Sequence, residues 1–270
     1  MKRLAIYCVN YNSYEYLSAF LKSVDTAVKG VSGQADVFVY VADNTEDCVE
    51  EINEMLQNAE LKVFSYRKNL GYFGAVKRMM SETKPKDFDF VIISNVDVEL
   101  RPDALRVFLC RYGNDVQSVG WVAPQIYSNL EKRDRNPQVV YRYSLTKLRL
   151  LRLMFQHHLL CVLYRKTVYK RKRVQSHSAG DVYAGHGSFI ILTRQYIEEC
   201  GIIDFPVFLF CEELYLAEQC RNHGLKVVYD PEIKIIDMEH ASTCKMPSRS
   251  YFKYNADALK YIIDTFYLQH

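Results

Sequence analysis

A chain of 270 residues, 49% hydrophobic and 25% charged, has an ordinary globular composition and can bury the core of one large α/β domain. Its eight cysteines include no Cys-x-x-Cys pair, a pattern of a reducing compartment that argues against a disulfide scaffold or a zinc ribbon. The net charge is only +3, yet residues 129–176 hold thirteen Lys or Arg against two acids, Glu131 and Asp134; that segment is +11 and the remainder −8, which points to an anionic partner for one patch.

In chain order, Leu4 to Val9 is an apolar run that reads as a first buried strand and ends in Asn10-Tyr11-Asn12-Ser13, with good helix-capping residues. Leu17, Phe20, Leu21 and Val24 recur at helical spacing. Val37 to Val41 is a second strand ending in Ala42-Asp43-Asn44-Thr45, and Val49, Ile52, Met55 and Leu56 mark a helix. Leu61 to Tyr66 is a third strand. It is followed by the glycine-bearing turn Asn69-Leu70-Gly71-Tyr72-Phe73-Gly74 and a helix through Ser81. Phe90 to Ile93 is a fourth strand, which delivers Ser94-Asn95-Val96-Asp97. Strands alternating with helices predict a parallel sheet with right-handed crossovers and helices on both faces. Three polar clusters, 10–13, 43–45 and 95–97, then converge at the carboxyl edge, where open α/β sheets bind ligands. No GxGxxG or Walker A pattern occurs, against a standard dinucleotide or P-loop site.

A helix is expected over Pro102–Cys110 and a strand over Trp121–Ile126. In the basic segment, Leu148, Leu151, Met154 and Phe155, then Leu159, Val162 and Leu163, fall at helical spacing among cations, predicting one or two amphipathic helices with a cationic face. Gly187 to Thr193 reads as a strand, and 194–200 as a helix. A helix runs from about Glu212 to Arg221, closed by His223-Gly224. Strands at Leu225–Tyr229 and Ile233–Ile236 flank an Asp230-Pro231 turn, and a helix runs from Tyr251 to Leu268. No signal peptide is expected, and no uncharged apolar stretch reaches the length of a membrane span.

Each polar group has two readings. Asp97 either holds a divalent cation that in turn holds a diphosphate or, with Asn95, only closes an Asx-type turn. Asp43 and Asn44 either read a nucleobase or ribose or form another such turn. Glu212 and Glu213 are adjacent carboxylates, suited to a general base or simply to a helix N-terminus. His240, beside Glu239, is a ligand for Mn²⁺ or another borderline metal or a satisfied histidine.

Taken together, the blocks resemble family 2 glycosyltransferases of the GT-A fold. They are Val9-Asn10-Tyr11-Asn12-Ser13, Val41-Ala42-Asp43-Asn44-Thr45, Asn69-Leu70-Gly71-Tyr72-Phe73-Gly74-Ala75 and Ser94-Asn95-Val96-Asp97. Later ones are Gly187-Ser188-Phe189-Ile190-Ile191-Leu192, then Gly201-Ile202-Ile203-Asp204 through Phe208-Leu209-Phe210-Cys211-Glu212-Glu213-Leu214, then 224–231 and His240-Ala241-Ser242-Thr243. The flavour is that of bacterial rhamnosyltransferase-like enzymes of surface polysaccharide assembly.

The resemblance implies a Rossmann-like, mostly parallel α/β sheet carrying a basic helical insert. The segments would be 1–128 for the nucleotide-sugar half, 129–183 for the insert, 184–246 for the acceptor half and 247–270 for a terminal helix. It implies a nucleoside-diphosphate sugar lying across the strand ends on Asn10, Asn12, Asp43, Asn44, Asn69, Gly71, Asn95 and Gly187. It further implies Mn²⁺ or Mg²⁺ on Asp97 and His240, with Glu213 as the base of an inverting transfer and Glu212 beside it. The acceptor would be a glycan hydroxyl, lipid-diphosphate-linked, with the chain cytoplasmic and peripheral on an anionic membrane. Three departures stand out: Asn95-Val96-Asp97 for Asp-x-Asp, Glu213 for Asp, and Tyr215 where the family often has a second Asp. A non-catalytic binding module on this fold is the main alternative. A nucleotidyltransferase lacks its glycine-rich phosphate loop, and no motif for reading nucleic acid accompanies the basic insert.

Overall fold

The computed structural model describes residues 1–47, 52, 56–114, 117–157, 177–238 and 248–268. Strands β1 (Lys2–Asn10), β2 (Ala35–Asp43), β3 (Glu60–Ser65) and β4 (Phe90–Asn95) are mutually parallel, in the order β3-β2-β1-β4. Helix α1 (Tyr14–Lys29) links β1 to β2, and α2 (Tyr72–Thr83) lies between β3 and β4. The expected helix near Val49 and Met55 falls largely outside the described residues.

Beyond β4 the sheet becomes mixed. It continues through β9 (Phe189–Thr193), β6 (Val119–Ser128), β10 (Lys226–Asp237) and β5 (Val98–Leu100). β9 runs antiparallel to both β4 and β6, so the parallel register predicted for the first half does not extend across the whole sheet. Short strands β7 (Arg133–Asp134) and β8 (Gly180–Val182) pair with β6 and β10. They join the basic segment to the sheet, as does the bridge from Val139 to Ala184.

Alternation along the strands divides the core. Leu4, Ile6, Phe90, Ile92, Phe189 and Ile191 face α1 and α3 (Ala104–Tyr112). Ala5, Tyr7, Val91, Ile93, Ile190 and Leu192 face the other side. There they meet α2, α5 (Arg194–Cys200), α6 (Glu212–Asn222) and α7 (Ser248–Phe266). A strand apolar on both faces must be covered on both, which is why the strands read as continuous apolar runs.

Two expectations change here. The strands predicted at 225–229 and 233–236 are one strand, β10, whose pairing with β6 shifts register between Asp230 and Lys234. Pro231 has no N–H for the ladder, and buried Asp230 accepts bonds from Arg111 Nε (2.5 Å), Tyr112 Oη (2.9 Å) and Glu232 N (3.1 Å). The bulge therefore has its own partners and the strand resumes. Among the described residues of the basic segment one helix is seen, α4 (Leu145–Gln156), capped by Ser144 Oγ accepting from Lys147 N. The stretch around Leu159 to Leu163 lies outside the described residues.

Candidate active site

The carboxyl ends of β1, β2 and β4 meet as predicted. Asn10 is paired with Asp43 in the β1–β2 register, and Val9 with Asn95. Asp43 is only 1% exposed. Its Oδ1 accepts from Asn10 Nδ2 (3.1 Å) and Thr45 N (3.2 Å), and its Oδ2 from Tyr14 Oη (2.9 Å). Asp43 thus carries the turn-closing role as well as any ligand role. Asn12 has a left-handed backbone (φ 52°) and an exposed side chain; its N–H donates to Thr45 Oγ1 (3.1 Å). Buried Asn44 donates through Nδ2 to Gly71 O (3.1 Å), which ties the end of β2 to the start of α2.

That start organises the site. Asn69 Oδ1 accepts from Gly71 N (3.0 Å), and Gly71 has φ 73°. A Cβ on Gly71 would stand 2.1 Å from the carbonyl oxygen of Phe208, so only glycine fits both the backbone angle and the approach. Next in sequence, Tyr72 Oη donates to Gly187 O (3.0 Å). Burial above all, with repulsion from neighbouring acidic groups, Glu212 first, raises the pKa of this phenol well above its ordinary value. Tyr72 therefore stays a hydrogen donor to Gly187 O.

The loop ahead of α6 bends through two left-handed residues, Phe210 (φ 76°) and Cys211 (φ 62°). Two consecutive non-glycine residues in this region cost about 1–3 kcal/mol each. Aromatic packing holds them: Phe210 against Tyr251 and Phe208 against Tyr254 of α7, at centroid distances of 5.1 and 5.0 Å. The bend sends the two glutamates to different surroundings. Glu212 turns in, 8% exposed, and its Oε1 accepts from Phe210 N (3.0 Å). Burial, and then the neighbouring Glu213 charge, push its pKa up to about 8. Glu213 is half-buried and faces Gly187: its Oε2 lies 4.0 Å from where a Cβ on that glycine would be. Glycine at 187 thereby leaves space in front of the more accessible carboxylate.

The loop carrying Gly187 is fixed from three sides. Ser188 O accepts from Asn95 N (2.9 Å), and Asn136 Oδ1 accepts from His186 N (2.6 Å). His186 Nδ1 stands 3.2 Å from Ser188 N and 2.9 Å from Ser188 Oγ. Tyr14, Asn136 and His186 have no counterpart in the sequence reading, because each acts through a contact between segments distant in sequence.

Asp97 sits where β4 hands over to β5, and its carbonyl oxygen accepts from Met238 N (3.0 Å). The segment that leads to Glu239 and His240 therefore starts beside the candidate metal ligand, although His240 itself lies outside the described residues. Among the described residues no cluster of three His, Cys, Asp or Glu could hold a metal. A single carboxylate fits a hard cation that takes its remaining oxygens from a diphosphate and water; it does not fit an all-protein metal cage.

The sequence profile of glycosyl transferase family 2 matches residues 6–174, more than half of the chain. The chain belongs to glycosyl transferase family 2. The matched range includes the Asn10, Asp43, Gly71 and Asp97 blocks and runs into the basic segment; the blocks from Gly187 onward lie beyond it. No curated protein is a match in sequence. Among solved structures the chain is similar to GalNAc-T7 with UDP, GalNAc and Mn²⁺ (TM-score 0.58, 12% identity, 98% of this chain and 56% of that one). It is also similar to the mannosyltransferase PcManGT from Pyrobaculum calidifontis with GDP-Man and Mn²⁺ (TM-score 0.54, 12% identity, 97% and 70%). A third is S. aureus TarS, residues 1–349 (TM-score 0.52, 12% identity, 99% and 73%). The family 2 chain thus spans little more than half of GalNAc-T7, and at this identity the likeness concerns the fold: a GT-A sheet flanked by helices.

Proposed function

We propose that this family 2 chain is an inverting, metal-dependent glycosyltransferase, hexosyl or rhamnosyl, that moves a sugar from a nucleoside-diphosphate donor to a glycan hydroxyl. The observation that carries the reading is the placement of Glu213 against Gly187, with the Gly187 carbonyl tied to Tyr72 at the head of α2. A half-buried carboxylate therefore stands beside the loop that is tied to Tyr72 and, through Ser188, to Asn95 at the end of β4. The acceptor oxygen forms its bond to the anomeric carbon as the bond from that carbon to the diphosphate breaks. The acceptor proton passes to the Glu213 carboxylate, and the nucleoside diphosphate leaves with the electron pair. The two sides of the anomeric carbon are exchanged, hence inversion.

Glu212 does not need to take part as a base. Its carboxyl is turned inward and holds the Phe210 amide, so it positions the bend that aims Glu213. Asp97 and His240 are the residues that would hold Mn²⁺ or Mg²⁺. Such an ion neutralises charge on the leaving diphosphate when bound. The Mn²⁺ and nucleotide complexes of GalNAc-T7 and PcManGT support a divalent metal and a nucleotide-sugar donor of this class. Asn10, Asn12, Asp43, Asn44, Asn69 and Asn95 are assigned to the donor.

The +11 segment supports an acceptor presented at an anionic surface: a lipid-linked glycan of surface polysaccharide assembly, with the enzyme peripheral on the cytoplasmic leaflet. No described helix is long and apolar enough to cross a membrane.

A second reading, a binding module without turnover, is favoured by Asn95 at the first metal-motif position. The experiment is a thermal-shift panel of nucleotide sugars with and without Mn²⁺, followed by transfer with lipid-linked acceptors. A metal-dependent shift with turnover supports the transferase. A shift without donor consumption supports the binding module.

A further inference from the structure

Helix α4 has more apolar surface than its packing uses. Leu148 and Met154 are buried, and Leu151 and Phe155 pack partly on the core. On the opposite side Leu150 and Leu153 are 54% and 44% exposed. Lys147 and Arg149 flank them, both exposed, with the Lys147 ammonium 3.5 Å over the Tyr143 ring. Tyr141, just ahead of the helix, is 83% exposed. An amphipathic helix in a globular protein normally turns its apolar side inward and its polar side out. Here the outer side carries leucines between cations, the composition of a helix that lies in a membrane interface.

Charge points to the kind of partner: α4 itself carries Lys147, Arg149 and Arg152 and no acid. Beside α4, a groove of about 520 Å³ opens toward α7, lined by Phe155, Gln156, Arg249, Phe252 and Lys253, with Asp257 the one acid. The groove is connected to the catalytic bend: the Phe155 ring meets Tyr251 at 6.0 Å, and Tyr251 meets Phe210 at 5.1 Å. Phe210 gives its amide to Glu212. The core-facing, Phe155 side of α4 therefore lies next to the elements that set the candidate base.

We propose that the outer face of α4, with Leu150 and Leu153 between Lys147 and Arg149 and with Arg249 and Lys253 at the adjoining groove, docks on an anionic phospholipid bilayer. The leucines enter the headgroup–acyl boundary, and the cations meet lipid phosphates. The inference rests on the lipid-linked acceptor proposed above for its purpose, while its evidence is the composition of this face.

The test is cosedimentation of the full chain with phosphatidylcholine vesicles with and without phosphatidylglycerol. The wild type, Leu150→Ser/Leu153→Ser and Lys147→Gln/Arg149→Gln are compared at low and high salt. All four positions are exposed, so the variants should fold, and the Mn²⁺-dependent shift with a nucleotide sugar, read on the same samples, checks this. That control also reads the transferase assignment separately from membrane binding. The expected result is retention by anionic vesicles only, released by salt, with each double variant losing at least about tenfold in partitioning. Retention of the leucine variant equal to wild type overturns the proposal, as does failure of the wild type to bind anionic vesicles. A lipid-free dimer that Leu150→Ser/Leu153→Ser converts to monomer overturns it in favour of self-association.

Discussion

Tyr72 and Gly187, 115 residues apart, are joined by a hydrogen bond of 3.0 Å from the phenol to the glycine carbonyl. The bond fixes the loop in front of Glu213 to the first turn of α2, the same turn that receives Asn44 from β2. Removing the phenol oxygen in Tyr72→Phe leaves the Gly187 carbonyl without this donor, at a cost of about 1 kcal/mol. The measurable result is a lower transfer rate with a Tm reduced by a few degrees. Gly71→Ala is more damaging, because a methyl group meets the Phe208 carbonyl at 2.1 Å and the backbone is left-handed. Denaturant unfolding should find a loss of about 1–3 kcal/mol, with weakened nucleotide-sugar binding.

Glu213→Gln keeps size and hydrogen-bonding capacity but cannot take a proton. Transfer should fall by about 10²–10⁴-fold while donor affinity, measured by titration calorimetry, stays near wild type. An equal loss of donor affinity would mean that Glu213 binds the donor instead of acting on the acceptor.

Glu212 makes a pH prediction of definite sign. Its folded pKa, about 8, lies above the ordinary 4.5. Between those values the folded state holds more protons than the unfolded one, so this group's contribution to stability is full below 4.5 and is lost as pH rises through about 8. The slope is at most about 1.4 kcal/mol per pH unit in that window. Glu212→Gln removes it. Tm plotted against pH should therefore fall less steeply for the variant than for wild type between pH 5 and 8, read against the 4.5-to-8 shift.

Asp97→Ala should abolish the Mn²⁺-dependent part of the thermal shift with nucleotide sugar and leave the metal-free unfolding free energy within about 1 kcal/mol of wild type. Asp97 is half-buried, and its contact with Met238 runs through its backbone carbonyl, which the substitution keeps. An unchanged metal response in this variant would remove Asp97 from the donor site.

Buried Glu218, in the middle of α6, receives Arg142 through Nε (2.7 Å) and Nη2 (3.0 Å) and the Tyr183 hydroxyl (2.6 Å). Arg142 also stacks 3.8 Å from the Tyr267 ring centroid. The cluster pins Arg142 in the basic segment and Tyr183 just after it to the helix that carries Glu212 and Glu213. Glu218→Ala leaves Arg142 and Tyr183 without their acceptor and should cost about 3–5 kcal/mol, seen as a marked drop in denaturation midpoint. Neither the lone Arg nor the Glu announced this pairing, since 76 residues separate them.

Much of the α/β framework was legible because local pattern carries it. The apolar runs at 4–9, 37–41 and 90–93 became β1, β2 and β4, and the spacing of Leu17, Phe20, Leu21 and Val24 became the buried face of α1. Sequence order placed Asn10 beside Asp43 because parallel strands joined by a short crossover put their carboxyl ends together. The antiparallel β9 was not legible. Phe189 to Thr193 is a buried run compatible with either direction, and only the return path from the basic segment decides it.

Composition and local spacing determined, without the structure, that this chain builds a helix-flanked α/β sheet, that polar clusters gather at its carboxyl edge and that a strongly basic stretch interrupts it. Those features depend on side-chain periodicity and on the near neighbours of each residue. Tertiary structure decided which of two adjacent glutamates faces Gly187 and which is buried on the Phe210 amide. It also decided that the leucines of α4 are divided between core and surface. The orientation of a side chain at a helix start is set by the backbone bend before it and by the aromatic rings that hold that bend. Those rings come from Tyr251 and Tyr254, about forty residues further along the chain, where no local pattern can register them.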